Sequence, residues 1–115
     1  MKLRIFILLI LSTLLFACTT QDCNKLPDKF TSYSEAFEKI ENSSFKIEES
    51  VNTSKSSWIR GATYYSCDGE KGYLLIETDT KTYIHKEVPL SVWNGFKVAD
   101  SFGEYYHRYI KSKYY

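Results

Sequence analysis

The sequence predicts an α+β domain: a small antiparallel sheet of about three to four strands, with an N-terminal helix before it and two C-terminal helices after it. Two Ser-x-x-Glu capping boxes, at Ser32 and Ser101, each open a stretch with apolar residues at helical spacing. Between them, the segments from Phe45 to Lys86 are short, rich in β-branched and aromatic residues, and divided by polar turns. The chain has 115 residues, 43% hydrophobic and 17% aromatic, with a formal charge of +1, which limits it to one domain. That much aromatic surface excludes disorder, and the near neutrality excludes wholesale coating of a nucleic acid.

Thr19 to Leu26 reads as a polar linker, and Pro27 keeps the chain extended up to Phe30. Ser32 then caps a helix in which Tyr33, Ala36, Phe37 and Ile40 form one apolar stripe, and Asn42-Ser43-Ser44 ends it. Phe45, Ile47 and Val51 share one parity, the period of a half-exposed strand. A paired Glu48-Glu49 in that strand reads as a solvated edge, since neighbouring residues alternate faces. Trp58 to Ser66 is the next strand, with Gly61 marking a bulge or a close backbone approach. A turn over Cys67 to Gly72 leads into Tyr73 to Ile76, apolar on both parities and so expected to be covered on both faces. After Asp79-Thr80-Lys81, the segment Thr82 to Lys86 completes a meander of three sequential antiparallel strands. Pro89 suits the first turn of a helix carrying Leu90, Val92, Trp93, Phe96 and Ala99, and Ser101 opens another with Phe102, Tyr105, Tyr106, Tyr109 and Ile110. Phe30, Tyr33, Phe37, Phe45, Trp93, Phe96, Phe102 and Tyr106 are the expected aromatic core.

Residues 1–17 read as an address rather than a fold. Lys2 and Arg4 precede an apolar run from Ile5 to Phe16, too short to cross a hydrocarbon core of ~30 Å as a stable helix. The run closes with Leu15-Phe16-Ala17-Cys18, which resembles the lipobox of bacterial lipoproteins, with Phe16 bulkier than the usual residue there. The resemblance implies cleavage before Cys18, lipidation of its thiol and acylation of the new amino terminus. That would place the protein in the bacterial cell envelope, facing outside the cytoplasm and held by a lipid anchor on the outer membrane or the cell membrane. The mature chain would have 98 residues, with thirteen basic side chains against fourteen acidic ones. Cys23 and Cys67 would then lie in an oxidising compartment as the one available intramolecular pair, closing a loop of 45 residues. Their spacing matches neither a CxxC redox pair nor a zinc ligand set, so a structural disulfide is expected and no metal.

From Ser57 to Tyr115 the sequence resembles the KTSC domain, a module of roughly sixty residues found at the C-terminus of some lysyl-tRNA synthetases and as free-standing bacterial proteins. The resemblance rests on Ile59, Tyr64, the Tyr73 to Ile76 strand, Tyr83, Val88-Pro89, Val92, Ala99-Asp100-Ser101, Gly103, Tyr106, Ile110 and Tyr115. The family's Y-x-Y motif stands here as Tyr83-Ile84-His85, and a family Asn in the last helix as His107. The resemblance implies no established activity; RNA binding has been suggested for the family. The chain therefore divides into a signal peptide (1–17), a tether (18–29), an N-terminal helix and strand (30–56) and the KTSC-like part (57–115).

Catalysis is not expected, because neither His85 nor His107 stands in a recognisable nucleophile or metal motif, and no cofactor signature occurs. The run from Tyr105 to Tyr115 interleaves tyrosines with Arg108, Lys111 and Lys113, the pattern that stacking plus anion neutralisation requires. The competing account is structural: Tyr105, Tyr106 and Tyr109 stand at core spacing, and cations in a last turn complement the helix dipole. Tyr83, His85, Arg108, Lys111 and Lys113 are thus the expected binding surface, for a protein, an anionic glycan or a lipid head group. A nucleic-acid-binding module is the alternative.

Overall fold

The computed structural model describes residues 21–114; the signal segment, Cys18 and Tyr115 lie outside the described residues. It is a mixed α+β fold built on a four-stranded antiparallel meander. The strands are β3 (Ile47–Val51), β4 (Gly61–Ser66), β5 (Lys71–Glu77) and β6 (Thr82–Pro89), in that spatial order. A helix α1 (Tyr33–Glu41) precedes the sheet, and α2 (Leu90–Lys97) and α3 (Phe102–Tyr109) follow it.

Both capping boxes close their helices. The Ser32 hydroxyl accepts from the Glu35 N–H at 3.1 Å, and the Ser101 hydroxyl from the Glu104 N–H at 3.2 Å. The Glu35 carboxylate reaches one residue further back than expected, accepting from the Thr31 backbone N–H at 3.0 Å and also from the Thr31 hydroxyl. With Lys39 paired to it at 2.8 Å, Glu35 is held down at a pKa of about 2.

β5 is covered on both faces, as its continuous apolar run requires. Leu74 and Ile76 are fully buried toward α2 and α3, together with Ile59, Tyr64, Val88, Trp93, Phe96 and Ile110. Leu75 is buried on the opposite face with Ile40 and Tyr65, where Phe30, Phe37, Phe45 and Tyr73 pack around them. Tyr64 and Trp93 stack with centroids 5.5 Å apart, and the Tyr64 hydroxyl donates to the Val88 carbonyl at 2.8 Å. The Trp93 Nε1–H donates to Glu49 at 2.8 Å, so a glutamate exposed on the edge strand satisfies the indole of a core residue.

Three expectations need correction. Phe45 does not share a face with Ile47 and Val51: it precedes β3 beyond a bend at Lys46 and packs on the α1 side, so the alternation does not carry through. Tyr33 is 49% exposed rather than in the core, because the first turn of α1 extends past the small cluster it flanks. The stretch 18–29, expected to be a tether, carries structure from Gln21 on. There β1 (Gln21–Asp22) pairs in parallel with β2 (Ser43–Ser44), and Cys23–Lys25 form a 3-10 turn. Cys23 and Cys67 are joined by a disulfide, with Cα atoms 5.8 Å apart.

A β-bulge phases the last strand. Gly72 pairs with Val88 and Leu74 with His85, so Tyr73 faces two residues, Lys86 and Glu87, and Glu87 takes a φ of 57°. The extra residue turns both His85 and Val88, three positions apart, toward the helix layer. Gly72 is required here, because a Cβ at that position would collide with the Tyr65 carbonyl.

The disulfide closes a loop of 45 residues, a constraint worth about 4 kcal/mol in the chain-entropy account. Reduction, or Cys67→Ser, is expected to lower the urea midpoint by a corresponding amount. Unfolding curves that coincide with and without reductant would refute this.

Candidate functional site

β6 is an edge strand, and α3 with the residues that follow it runs past that edge. Between them opens a cavity of about 590 Å³. Tyr83, Ile84 and His85 line it from the strand; Tyr106, His107, Lys111 and Tyr114 line it from the helix and tail. Trp58, from the segment before β4, closes one wall.

Each ring is fixed by its neighbours. Trp58 meets Tyr106 edge-on at 5.6 Å and lies against His107 at 5.4 Å. It can lie there because Gly103 has no side chain: a Cβ would stand 2.5 Å from the indole Nε1. Tyr83 is 37% exposed, with the Lys81 ammonium 4.4 Å from its ring centroid.

His85 is 6% exposed and uses both ring nitrogens within the protein. Nδ1 lies 2.7 Å from the Tyr114 carbonyl, and Nε2 lies 2.8 Å from the Tyr106 hydroxyl. A carbonyl only accepts, so Nδ1 carries the proton and the Tyr106 O–H donates to Nε2. Burial holds the His85 pKa below its ordinary value, outweighing the bond to Tyr114, so the imidazole is neutral at pH 7. Burial also pushes the Tyr106 phenol up to about 12. The pair is a fixed floor that ties β6 to α3 and holds the tail at Tyr114.

Of the five expected surface residues, Tyr83, His85 and Lys111 meet at this cavity. Arg108 lies apart, in a shallow depression with Ala99, Asp100, Ser101, Glu104, Tyr105 and Tyr109. Lys113 sits 5.8 Å from the ring centroid of Tyr109. Trp58, Tyr106, His107 and Tyr114 were not among the expected residues. His107, Lys111 and Tyr114 recur at i, i+4 and i+7 in sequence, but α3 ends at Tyr109, so helical spacing does not place Lys111 or Tyr114. Among the described residues, the metal-capable grouping is Asp22 with Cys23 and Cys67, whose sulfurs are bonded to each other.

His85 gives the site a pH signature. Its folded pKa lies below the unfolded value of 6.5, so the unfolded chain binds the extra proton first, and stability falls as pH drops through and below 6.5. Glu35, Glu49 and Asp68 are held below the usual carboxylate range, so their contributions disappear only at more acid pH. The melting temperature of the native chain should therefore fall between about pH 7.5 and about pH 5.5, and His85→Gln should flatten that slope. Parallel slopes in the two proteins would refute the assignment.

A sequence model of the KTSC domain matches residues 55–114. No curated protein and no solved structure matches the chain. The match covers just over half of the 115 residues and includes every residue that lines the cavity, so this chain belongs to the KTSC domain family.

Proposed function

We propose that the chain is a lipid-anchored protein of the bacterial envelope, and that its KTSC domain is a non-catalytic binding module whose site is the cavity between β6 and α3. The observation that carries the second half is the cavity itself: ring-walled, preformed, with a few polar groups at its margin. Both nitrogens of its buried histidine are engaged by Tyr106 and Tyr114, and among the described residues no Asp or Glu lines it, which leaves no nucleophile, base and orienting group among them in mutual reach. A ligand there is held rather than transformed.

Support for the anchor is the Leu15-Phe16-Ala17-Cys18 motif after a short apolar run. Among the described residues, no helix is long and apolar enough to cross a membrane. Cys18 stands three residues before Gln21, which is paired into β1, so a lipid on Cys18 would lie within about 10 Å of the folded domain. Partners would then be a protein, a glycan or a lipid head group outside the cytoplasm. The RNA binding suggested for the family draws on the same aromatic walls. It is disfavoured by the placement of Arg108 and Lys113 away from the cavity, because a polynucleotide presents a phosphate at every nucleotide and needs a row of cations.

Cys18→Ser is expected to move the protein from the membrane fraction to the soluble one; unchanged retention would overturn the anchor. A photoreactive residue at Tyr83 should crosslink a partner in intact cells, while one at Tyr33, exposed on α1 across the sheet, should not. Equal capture at both positions would remove the cavity as the site, and capture of RNA at Tyr83 would favour the alternative.

A further inference from the structure

We infer that the cavity beside β6 takes an acidic sugar, a hydroxyl-bearing ring with one carboxylate; this rests on the reading of the cavity as a binding site. The charge of the lining is one-sided. Lys111 contributes an ammonium that forms no ion pair among the described residues, and neither Asp nor Glu faces it across the cavity. Lys81, seated over the Tyr83 ring, adds a second positive charge at the margin. A cation beside a concave aromatic wall gains from a charge-assisted bond to a single anion held there.

The uncharged groups define the rest of the ligand. The hydroxyls of Tyr83 and Tyr114, and both nitrogens of His107, make no hydrogen bond among the described residues. Phenols both donate and accept, and an imidazole presents a polar nitrogen on each side of its ring, which suits the mixed demand of ring hydroxyls. Between these groups stand the rings of Trp58, Tyr83 and Tyr114, one side of the Tyr83 ring carrying the Lys81 ammonium. A pyranose has just this division, with apolar C–H faces and polar edges. Its faces lose water against the aromatic rings while its hydroxyls are met at the rim. A fatty chain would leave the phenols and Lys111 without partners, and a nucleic-acid strand would find its further cations on other surfaces.

The test uses the full chain solubilised in detergent micelles and reads tryptophan emission. The chain has two tryptophans, and Trp93 is fully buried, so Trp58 is the reporter, with Trp58→Phe as the control that abolishes the response. Glucuronate should shift the emission saturably, and glucose should bind about tenfold more weakly. Lys111→Glu should weaken glucuronate about tenfold, leave glucose binding unchanged and leave the melting temperature unchanged. A tetrasaccharide alternating glucuronate with N-acetylglucosamine separates the sources: tighter binding than the monosaccharide marks an acidic polysaccharide, equal binding a free acidic sugar, and both uphold the inference. Equal affinity for glucose and glucuronate, stronger binding of uridine monophosphate, or no saturable change with glucuronate would each overturn it. If the sugars fail while crosslinking at Tyr83 succeeds, the ligand class is wrong and the site stands. If both fail, the binding-site reading falls with it.

Discussion

The rest of the fold answers to β5, a central strand with no polar face. Leu74 and Ile76 point one way and Leu75 the other, all at or below 5% exposure, so the sheet is unstable unless layers cover both its sides. The chain supplies those layers unequally. The α2–α3 side holds a cluster of eleven buried residues, including Trp93, Phe96 and Tyr64; the α1 side holds three. Apolar burial scales with area, so the thinner layer contributes far less and must be fixed in another way. The disulfide and the parallel β1–β2 pair lie in the N-terminal part of the chain that builds this layer, joining the residues before α1 to the end of β4 and to the segment after the helix. A covalent tie is most valuable where hydrophobic area is least.

The same division of faces sets the chemistry of the cavity. With strict alternation along β6, His85 and Val88 would point to opposite sides of the sheet. The bulge at Lys86 and Glu87 puts both on the thick side, so Val88 fills the core while His85 reaches the Tyr106 hydroxyl. One non-glycine residue in the left-handed region, costing about 1–2 kcal/mol, sustains that arrangement. Glu87 is exposed and pairs with Lys71 at 2.5 Å, which offsets little of that cost in solvent.

The elements were legible because local signals agreed: capping boxes at Ser32 and Ser101, helical stripes behind them, a doubly apolar Tyr73 to Ile76 run. Errors arose where the governing contact is distant in sequence. The Glu48-Glu49 pair does lie exposed on an edge strand, as its alternation predicts, but nothing local shows that Trp93 donates to Glu49 across 44 positions. The pairing of Gln21–Asp22 with Ser43–Ser44 is equally silent, since two-residue strands carry no periodicity. In the site, Tyr83 and His85 stand where the KTSC resemblance puts its Y-x-Y motif and Lys111 in the interleaved run from Tyr105 to Tyr115, but that run could not be sorted by face without fixing where α3 ends. The helix gives way at Ile110, and the turn that follows sends Tyr114 back toward His85 and Lys113 outward toward Tyr109.

Why the cavity lies where it does follows from the lengths of the parts. The thick core is centred on β4 and β5, where Tyr64 stacks on Trp93; β6 is the last strand, so nothing beyond it supports the far side of α3. A helix overhanging an edge strand leaves either a collapsed gap or an open one. Collapse is resisted here by stiff rings, because Trp58 is wedged over Gly103 against His107, and the His85–Tyr106 bond fixes the spacing of strand and helix. Aromatic side chains hold a void open with few rotatable bonds, so the space costs little entropy to keep and a ligand entering it would meet walls already in place. The hydrogen bond that spaces strand and helix also makes the floor neutral and fully satisfied, which leaves Lys111 as the charged side chain of the lining. A neutral floor with a cationic margin discriminates by charge only at the mouth and by shape within.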